Sequence, residues 1–214
     1  MEESSWISMP DVRRMKTKLV LMGEGGVGKT SLVRRFVLNE YQDTYLHTVG
    51  TRVNKIELTI PHGADTEVQM DMAIFDIMGQ KGFRDLVRET YYHGAQALMA
   101  VCDLTQKDSL SALDDWIPRA LEITGDVPLY LVVNKKDLEA QRAFSDEEIR
   151  QAAETFAAPY VLTSALTGEL SRTRSMPSPS KWSLGRFVKR TRERWSAACV
   201  RRLSSFWTNA VRSG

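Results

Sequence analysis

The chain has 214 residues, with 29 Lys+Arg against 27 Asp+Glu and a formal charge of +2, a length that suits one domain with an extension. Its 43% hydrophobic and 26% charged content argues against whole-chain disorder. Two distant cysteines, Cys102 and Cys199, exclude a disulfide framework and a four-ligand zinc site. No apolar run approaches the roughly 18–20 residues of a membrane span, and the start MEESSWISMPDVRRMK lacks the basic-then-apolar order of a signal peptide. The expectation is a soluble, cytoplasmic protein.

KLVLM (18–22) is a short apolar run bounded by Gly23, a buried-strand pattern. The segment after the following glycine-rich turn has Leu32, Val33, Phe36 and Val37 at helical spacing. Residues 40–50 are polar and irregular. Alternating apolar positions predict strands over 51–60 and 68–77, joined by the turn 61–65 into an antiparallel hairpin. LMAVCDL (98–104), LYLVVN (129–134) and YVLTSA (160–165) are further strands. Helical stretches over 82–93, 109–124 and 145–156 separate them, and Ser145 with Glu148 forms a capping-box pattern at the start of the last. Strands alternating with helices predict an α/β three-layer fold with a mostly parallel six-stranded sheet and one antiparallel hairpin strand.

Gly23-Glu-Gly-Gly-Val-Gly28-Lys29-Thr30 matches G-x-x-x-x-G-K-[ST] in a strand–loop–helix setting. Glycines let the backbone curl its N–H groups around a polyanion, and the helix N-terminus adds partial positive charge. Lys29 is placed to reach the β- and γ-phosphates, and the Thr30 hydroxyl to ligate Mg²⁺. Asp76 ends the second hairpin strand, where a carboxylate suits Mg²⁺ contact through water. Gly79 lacks a Cβ and so allows its N–H close approach to a γ-phosphate. Taken alone, D-x-x-G is an ordinary strand end and turn; the phosphate loop beside it gives it meaning. Thr48 is the best second hydroxyl for Mg²⁺, although by itself a loop threonine is more often simply solvated.

Asn134-Lys135-Lys-Asp137 follows the fifth strand. The Asp137 carboxylate can accept from guanine N1–H and the 2-amino group, donors that adenine lacks in that geometry, so discrimination is large. Asn134 braces the loop, and the Lys135 stem covers one face of the base. Thr163-Ser164-Ala165 ends the sixth strand, and the Ala165 N–H can meet guanine O6. These loops follow strand C-termini, where open α/β sheets bind ligands.

The elements GEGGVGKT, HTVGT, DIMGQ, NKKD and TSA, in this order over residues 16–169, resemble the Ras-like small GTPases, closest to the Rab branch. The resemblance implies a P-loop NTPase fold and a GTP/GDP switch that binds Mg²⁺ and hydrolyses GTP slowly without an activating partner. It implies nucleotide contacts from Gly23, Gly25, Gly26, Val27, Gly28, Lys29, Thr30, Ser31, Tyr41, Tyr45, Thr48, Gly79, Asn134, Lys135, Asp137, Ser164 and Ala165. Tyr41 matches the aromatic against the guanine, and Tyr45 the tyrosine folded over the phosphates. Side chains at Gly25 or Gly26 are expected to obstruct hydrolysis. The catalytic set is Gln80, which orients the attacking water, with Lys29 and Thr48; the metal set is Thr30, Thr48 and Asp76. Effector and regulator proteins are expected at switch regions around 40–51 and 79–92. No specific nucleic acid partner is expected.

Three departures stand out. Ile77-Met78 replaces the family's Thr-Ala, placing a large Met78 beside the γ-phosphate. Ser-Ala-Leu166 replaces Ser-Ala-Lys. The C-terminus Val-Arg-Ser-Gly has no prenylatable cysteine, which leaves membrane contact open.

The organisation read from the sequence is an N-terminal extension (1–15), the domain (16–169) and a basic tail (170–214). From Ser171 onward there are eleven basic residues and one acid, Glu193, while the first 170 residues hold 18 basic and 26 acidic. Pro177 and Pro179 stand where the family's last helix is expected. One reading is a genuine basic extension, with an amphipathic pattern over 184–207 suited to an anionic membrane or RNA. The other is a reading-frame slip. Translated from the third base of codon 170, and with TC-type serine codons, the segment regains apolar residues at i, i+4 and i+7, with alanine fixed before the last. The alternative functions are accordingly a GTP-binding scaffold with negligible hydrolysis, or a tail-directed RNA- or membrane-binding protein.

Overall fold

A computed structural model describes residues 11–37, 50–61, 66–79 and 88–172. The N-terminal residues 1–10 and the tail from 173, with its 184–207 pattern, lie outside the described residues, as do residues 38–49, 62–65 with most of the expected turn, and 80–87 with the start of the expected helix over 82–93. The strands are β1 (Asp11–Met22), β2 (Thr51–Pro61), β3 (Thr66–Ile77), β4 (Ala97–Asp103), β5 (Leu129–Asn134), β6 (Tyr160–Thr163) and β7 (Leu170–Arg172). The helices are α1 (Lys29–Val37), α2 (Arg88–Tyr92), α3 (Lys107–Ser111), α4 (Leu113–Thr124) and α5 (Asp146–Thr155).

The sheet order is β2-β3-β1-β4-β5-β6-β7. β1 pairs in parallel with β3 and β4, and the parallel run continues through β5 and β6. β2 and β3 form the expected antiparallel hairpin, with Thr51 opposite Ile77 and Pro61 opposite Glu67. The six expected strands are joined by a seventh. Leu170–Arg172, assigned to the tail from sequence, runs antiparallel to β6. The Glu169 carbonyl draws the chain back, accepting from Ser164 N at 2.9 Å and from Thr163 Oγ1 at 3.0 Å.

β1 is longer than its apolar core. It begins at Asp11, so residues 11–15, assigned to the extension from sequence, pair with β3. The part of β1 before Leu19, where pairing with β4 starts, carries Arg13, Arg14 and Lys16. An overhang paired on one side need not be apolar on both faces. The single helix expected over 109–124 is divided at Ala112 into α3 and α4. Ala112 keeps helical angles (φ −63°, ψ −18°), so the two segments follow one another without a loop. Pro118 inside α4 lacks the N–H for one intrahelical bond.

Alternation along the strands sorts side chains to two faces. Leu19, Leu21, Met72, Ile74, Met99 and Val101 cluster with Leu32 and Val33 of α1. Val20, Met22, Leu98, Ala100, Cys102 and Leu131 cluster with Trp116 and Ile117 of α4 and Ile149 of α5. β4 lies at the centre and is buried at all seven positions, which explains its continuous apolar sequence. Among the described residues, no helix is long and apolar enough to cross a membrane.

Candidate functional site

The site gathers on the loops that follow β1, β3, β5 and β6. After Met22, residues 23–28 turn the chain into α1, with Leu32 N bonded to the Gly28 carbonyl at 2.9 Å. Gly28 has φ +94°, and a Cβ there would overlap the Asn134 amide. Only glycine combines that angle with so close a neighbour. Gly23, Glu24, Gly25, Gly26 and Val27 form the remainder of the loop, and Ser31 lies in the first turn of α1.

Lys29 is buried, and its Nζ donates to the carbonyls of Gly23 at 2.8 Å and Glu24 at 2.7 Å. Burial lowers its pKa to about 8, against the opposing pull of the Asp76 charge. An ammonium group held by carbonyls alone in a buried loop favours an incoming polyanion. Thr30 Oγ1 donates to Asp76 Oδ2. Burial raises the Asp76 pKa, opposed by the Thr30 bond and the nearby Lys29, Arg52 and Arg34 charges. Among the described residues, Asp76 Oδ1 is buried without a hydrogen-bond partner.

That orphaned oxygen beside a hydroxyl fits a hard cation. Among the described residues there is no cluster of three or more His, Cys, Asp or Glu able to hold a metal. Mg²⁺ here would therefore need oxygens from a phosphate ligand or water, as is usual for that ion. Gly79 packs against the Glu24–Gly25 peptide so closely that a Cβ would overlap it. Met78 N donates to the Gly50 carbonyl at 3.1 Å, tying the start of β2 to the end of β3. Ile77 faces the α4-side core, which accounts for an apolar residue there.

Asn134 is buried and joins three segments. Its Nδ2 donates to the Val27 carbonyl at 2.9 Å, and its Oδ1 accepts from Ala165 N at 3.1 Å. The Ala165 N–H, expected from sequence to face guanine O6, is therefore engaged with Asn134; contact with a base through it requires sharing or exchanging that bond. Lys135 adopts the left-handed conformation (φ 65°, ψ 37°), turning the chain into a 3₁₀ segment that carries an exposed Asp137. Ser164 Oγ donates to Asp137 Oδ1, so the loops after β5 and β6 meet. Leu166 is exposed, so the family's lysine is replaced at a surface position.

Two contacts were not anticipated from sequence. Lys135 Nζ pairs with Asp103 Oδ2 at 2.6 Å. Trp116 Nε1, from α4, donates to Glu24 Oε1 at 3.1 Å. An acid ending an apolar strand, as in LMAVCD, was the available sign of the first; nothing local signalled the second. Tyr41, Tyr45, Thr48 and Gln80 lie outside the described residues.

Comparison with known proteins agrees with this geometry. The family model described as "Ras family" matches residues 18–173. Ras-related protein Rab-21 of Geodia cydonium is 36% identical over 152 residues, covering 71% of this chain and 64% of the relative. Rab-2B of Dictyostelium discoideum is 32% identical over 151 residues, 70% of this chain and 72% of the relative. Rab-4A of Mus musculus is 32% identical over 153 residues, 71% and 67% respectively.

Proposed function

We propose a guanine-nucleotide switch from one premise: the chain belongs to the Ras family of small GTPases, and its relatives are Rab-like. In this reading it binds GDP and GTP with Mg²⁺ in the cytoplasm and hydrolyses GTP to GDP and phosphate, slowly without an activating partner. Effectors and regulators engage the segments around 40–51 and 79–92.

The observation that carries the reading is Asn134, whose one amide bonds both the phosphate loop and the loop after β6. That pair of bonds supports the reading in which triphosphate and base determinants form a single site. The loop N–H groups and Lys29 take the phosphates, and a phosphate oxygen replaces solvation that the buried ammonium lacks. Thr30 and Asp76 would hold Mg²⁺, with Thr48 as the second hydroxyl, and the ion would supply neutralising charge to the phosphates. Gly79 admits its N–H to the γ-phosphate, and Gln80 orients the attacking water. Tyr41 lies against the guanine, Tyr45 over the phosphates, and Asp137, steadied by Ser164, accepts from the guanine edge.

Calorimetry with GDP, GTP and ADP, with Mg²⁺ and with chelator, tests the binding. The expected result is tight GDP and GTP binding that weakens on chelation, and no heat with ADP. Equal ADP binding, or no guanine-nucleotide binding by folded protein, would overturn it. Single-turnover conversion of bound GTP tests the chemistry: phosphate release is expected, and its absence leaves a binding module rather than an enzyme.

A further inference from the structure

Asp103 reaches the candidate site through the side chain of Lys135. It ends the central strand β4 and is fully buried, 0% exposed. Its two oxygens have separate partners. Oδ1 accepts from Thr105 N at 2.9 Å and Thr105 Oγ1 at 2.8 Å, the side-chain turn expected when Asp precedes a chain reversal. Oδ2 forms an ion pair with Lys135 Nζ at 2.6 Å and, among the described residues, no hydrogen bond. Asp103 is the register partner of Asn134, so the ion pair crosses from the end of one strand to the residue just past the end of the next.

The turn uses one oxygen and needs no net charge; an asparagine would serve it. Burying a carboxylate is costly unless a cation and hydrogen bonds compensate. Here the cation is the lysine assigned above to the face of the base. A free lysine loses rotamer entropy whenever it is ordered against a ligand. With its ammonium already fixed inside the protein, that loss precedes binding, and the stem is held beside the 3₁₀ segment that carries Asp137.

We propose that Asp103 is a positioning residue for nucleotide retention, its buried carboxylate anchoring Lys135 so that the lysine stem stands ready against the purine. The inference rests on the guanine-nucleotide reading of the site. Asp103 acts through Lys135, so removing either partner has the same consequence as removing both.

The test is the dissociation rate of a fluorescent GDP analogue from the full chain with Mg²⁺, chased by excess GDP. Asp103→Asn keeps the turn acceptor and the volume but removes the charge; Lys135→Met keeps the apolar stem but removes the ammonium. Each is expected to release nucleotide about tenfold faster, equivalent to about 1.4 kcal/mol, and the double variant to be no more than about twofold faster than either single one. Thr105→Val removes one Oδ1 bond and leaves the ion pair; it is expected to lower the melting temperature without changing the dissociation rate. Should Asp103→Asn fail to fold, Asp103→Ser, which retains an oxygen for the turn, takes its place in the cycle. Unchanged rates in the single variants, multiplicative effects in the double variant, or acceleration by Thr105→Val would each overturn the inference. Failure of the unaltered protein to bind GDP would remove the guanine reading itself, so the two failures are distinguishable.

Discussion

Asp137 receives the Ser164 hydroxyl on one oxygen and is exposed, which leaves acceptor capacity for a ligand edge. Guanine offers two adjacent donors there, whereas xanthine offers a donor and a carbonyl. Asp137→Asn replaces one acceptor with a donor. The expected outcome is a loss of GDP affinity of at least a hundredfold, with a gain for xanthosine diphosphate, since mispaired buried polar groups discriminate by factors of roughly 10⁴. Competition against fluorescent GDP measures both. Gly28 gives a second residue-scale prediction. Its φ of +94° and the adjoining Asn134 amide make Gly28→Ala a source of backbone strain of about 1–3 kcal/mol, with loss of nucleotide binding in the same variant. Thermal melting and the GDP titration should show both effects.

The phosphate loop is readable from sequence because its eight residues are contiguous and their chemistry is backbone chemistry. Asp103 with Lys135 and Glu24 with Trp116 are not, because each pair joins residues remote in the chain and depends on strand register. Ala165 shows another limit. Its position was legible, but the bond that its N–H makes in the folded chain depends on where Asn134 points.

At the scale of elements, α5 shows how local signals can suffice. Ser145 Oγ accepts from Glu148 N at 3.3 Å, and Glu148 Oε2 accepts from Ser145 N at 2.8 Å, the reciprocal cap visible in the sequence. Ser145→Ala should cost about 1 kcal/mol in urea unfolding. Lys107, from α3, meets Glu148 Oε1 at 2.8 Å. That bond, followed by those from Ser145, holds the Glu148 pKa down to about 2, against an ordinary value of 4.5. The folded state therefore keeps its carboxylate ionised at acidities that protonate the unfolded chain. The contribution is full above pH 4.5 and lost as pH falls toward 2. The stability gap between the unaltered protein and Glu148→Gln, followed by circular dichroism, should close across that window; a gap that widens on acidification would contradict the assignment. Elements whose ends depend on distant partners were harder to read. β1 reaches back to Asp11 through pairing with β3, and β7 exists because the turn at Glu169 brings it to the edge of β6. Neither stretch has an apolar run of its own.

For the whole molecule, the layered α/β fold and its antiparallel hairpin followed from strand and helix alternation, whereas the strand order is set by pairings between segments remote in the chain. The site lies where those strands end. A ligand that binds there and not to the unfolded chain stabilises the folded state by mass action, by about 4 kcal/mol at a thousandfold its dissociation constant. For a chain of this size, GDP with Mg²⁺ should then raise the melting temperature by roughly 8–16 °C, and chelation should reduce the shift. A change below about 2 °C would indicate that the loops do not close on a nucleotide.

Asn134 carries a consequence at this scale. One carboxamide laces the glycine-rich collar after β1 to the turn after β6, so in the proposed nucleotide complex neither half of the pocket can slacken alone. Whatever prises one end of the ligand loose also unfastens the other, and release becomes a concerted event rather than a peeling from head to tail.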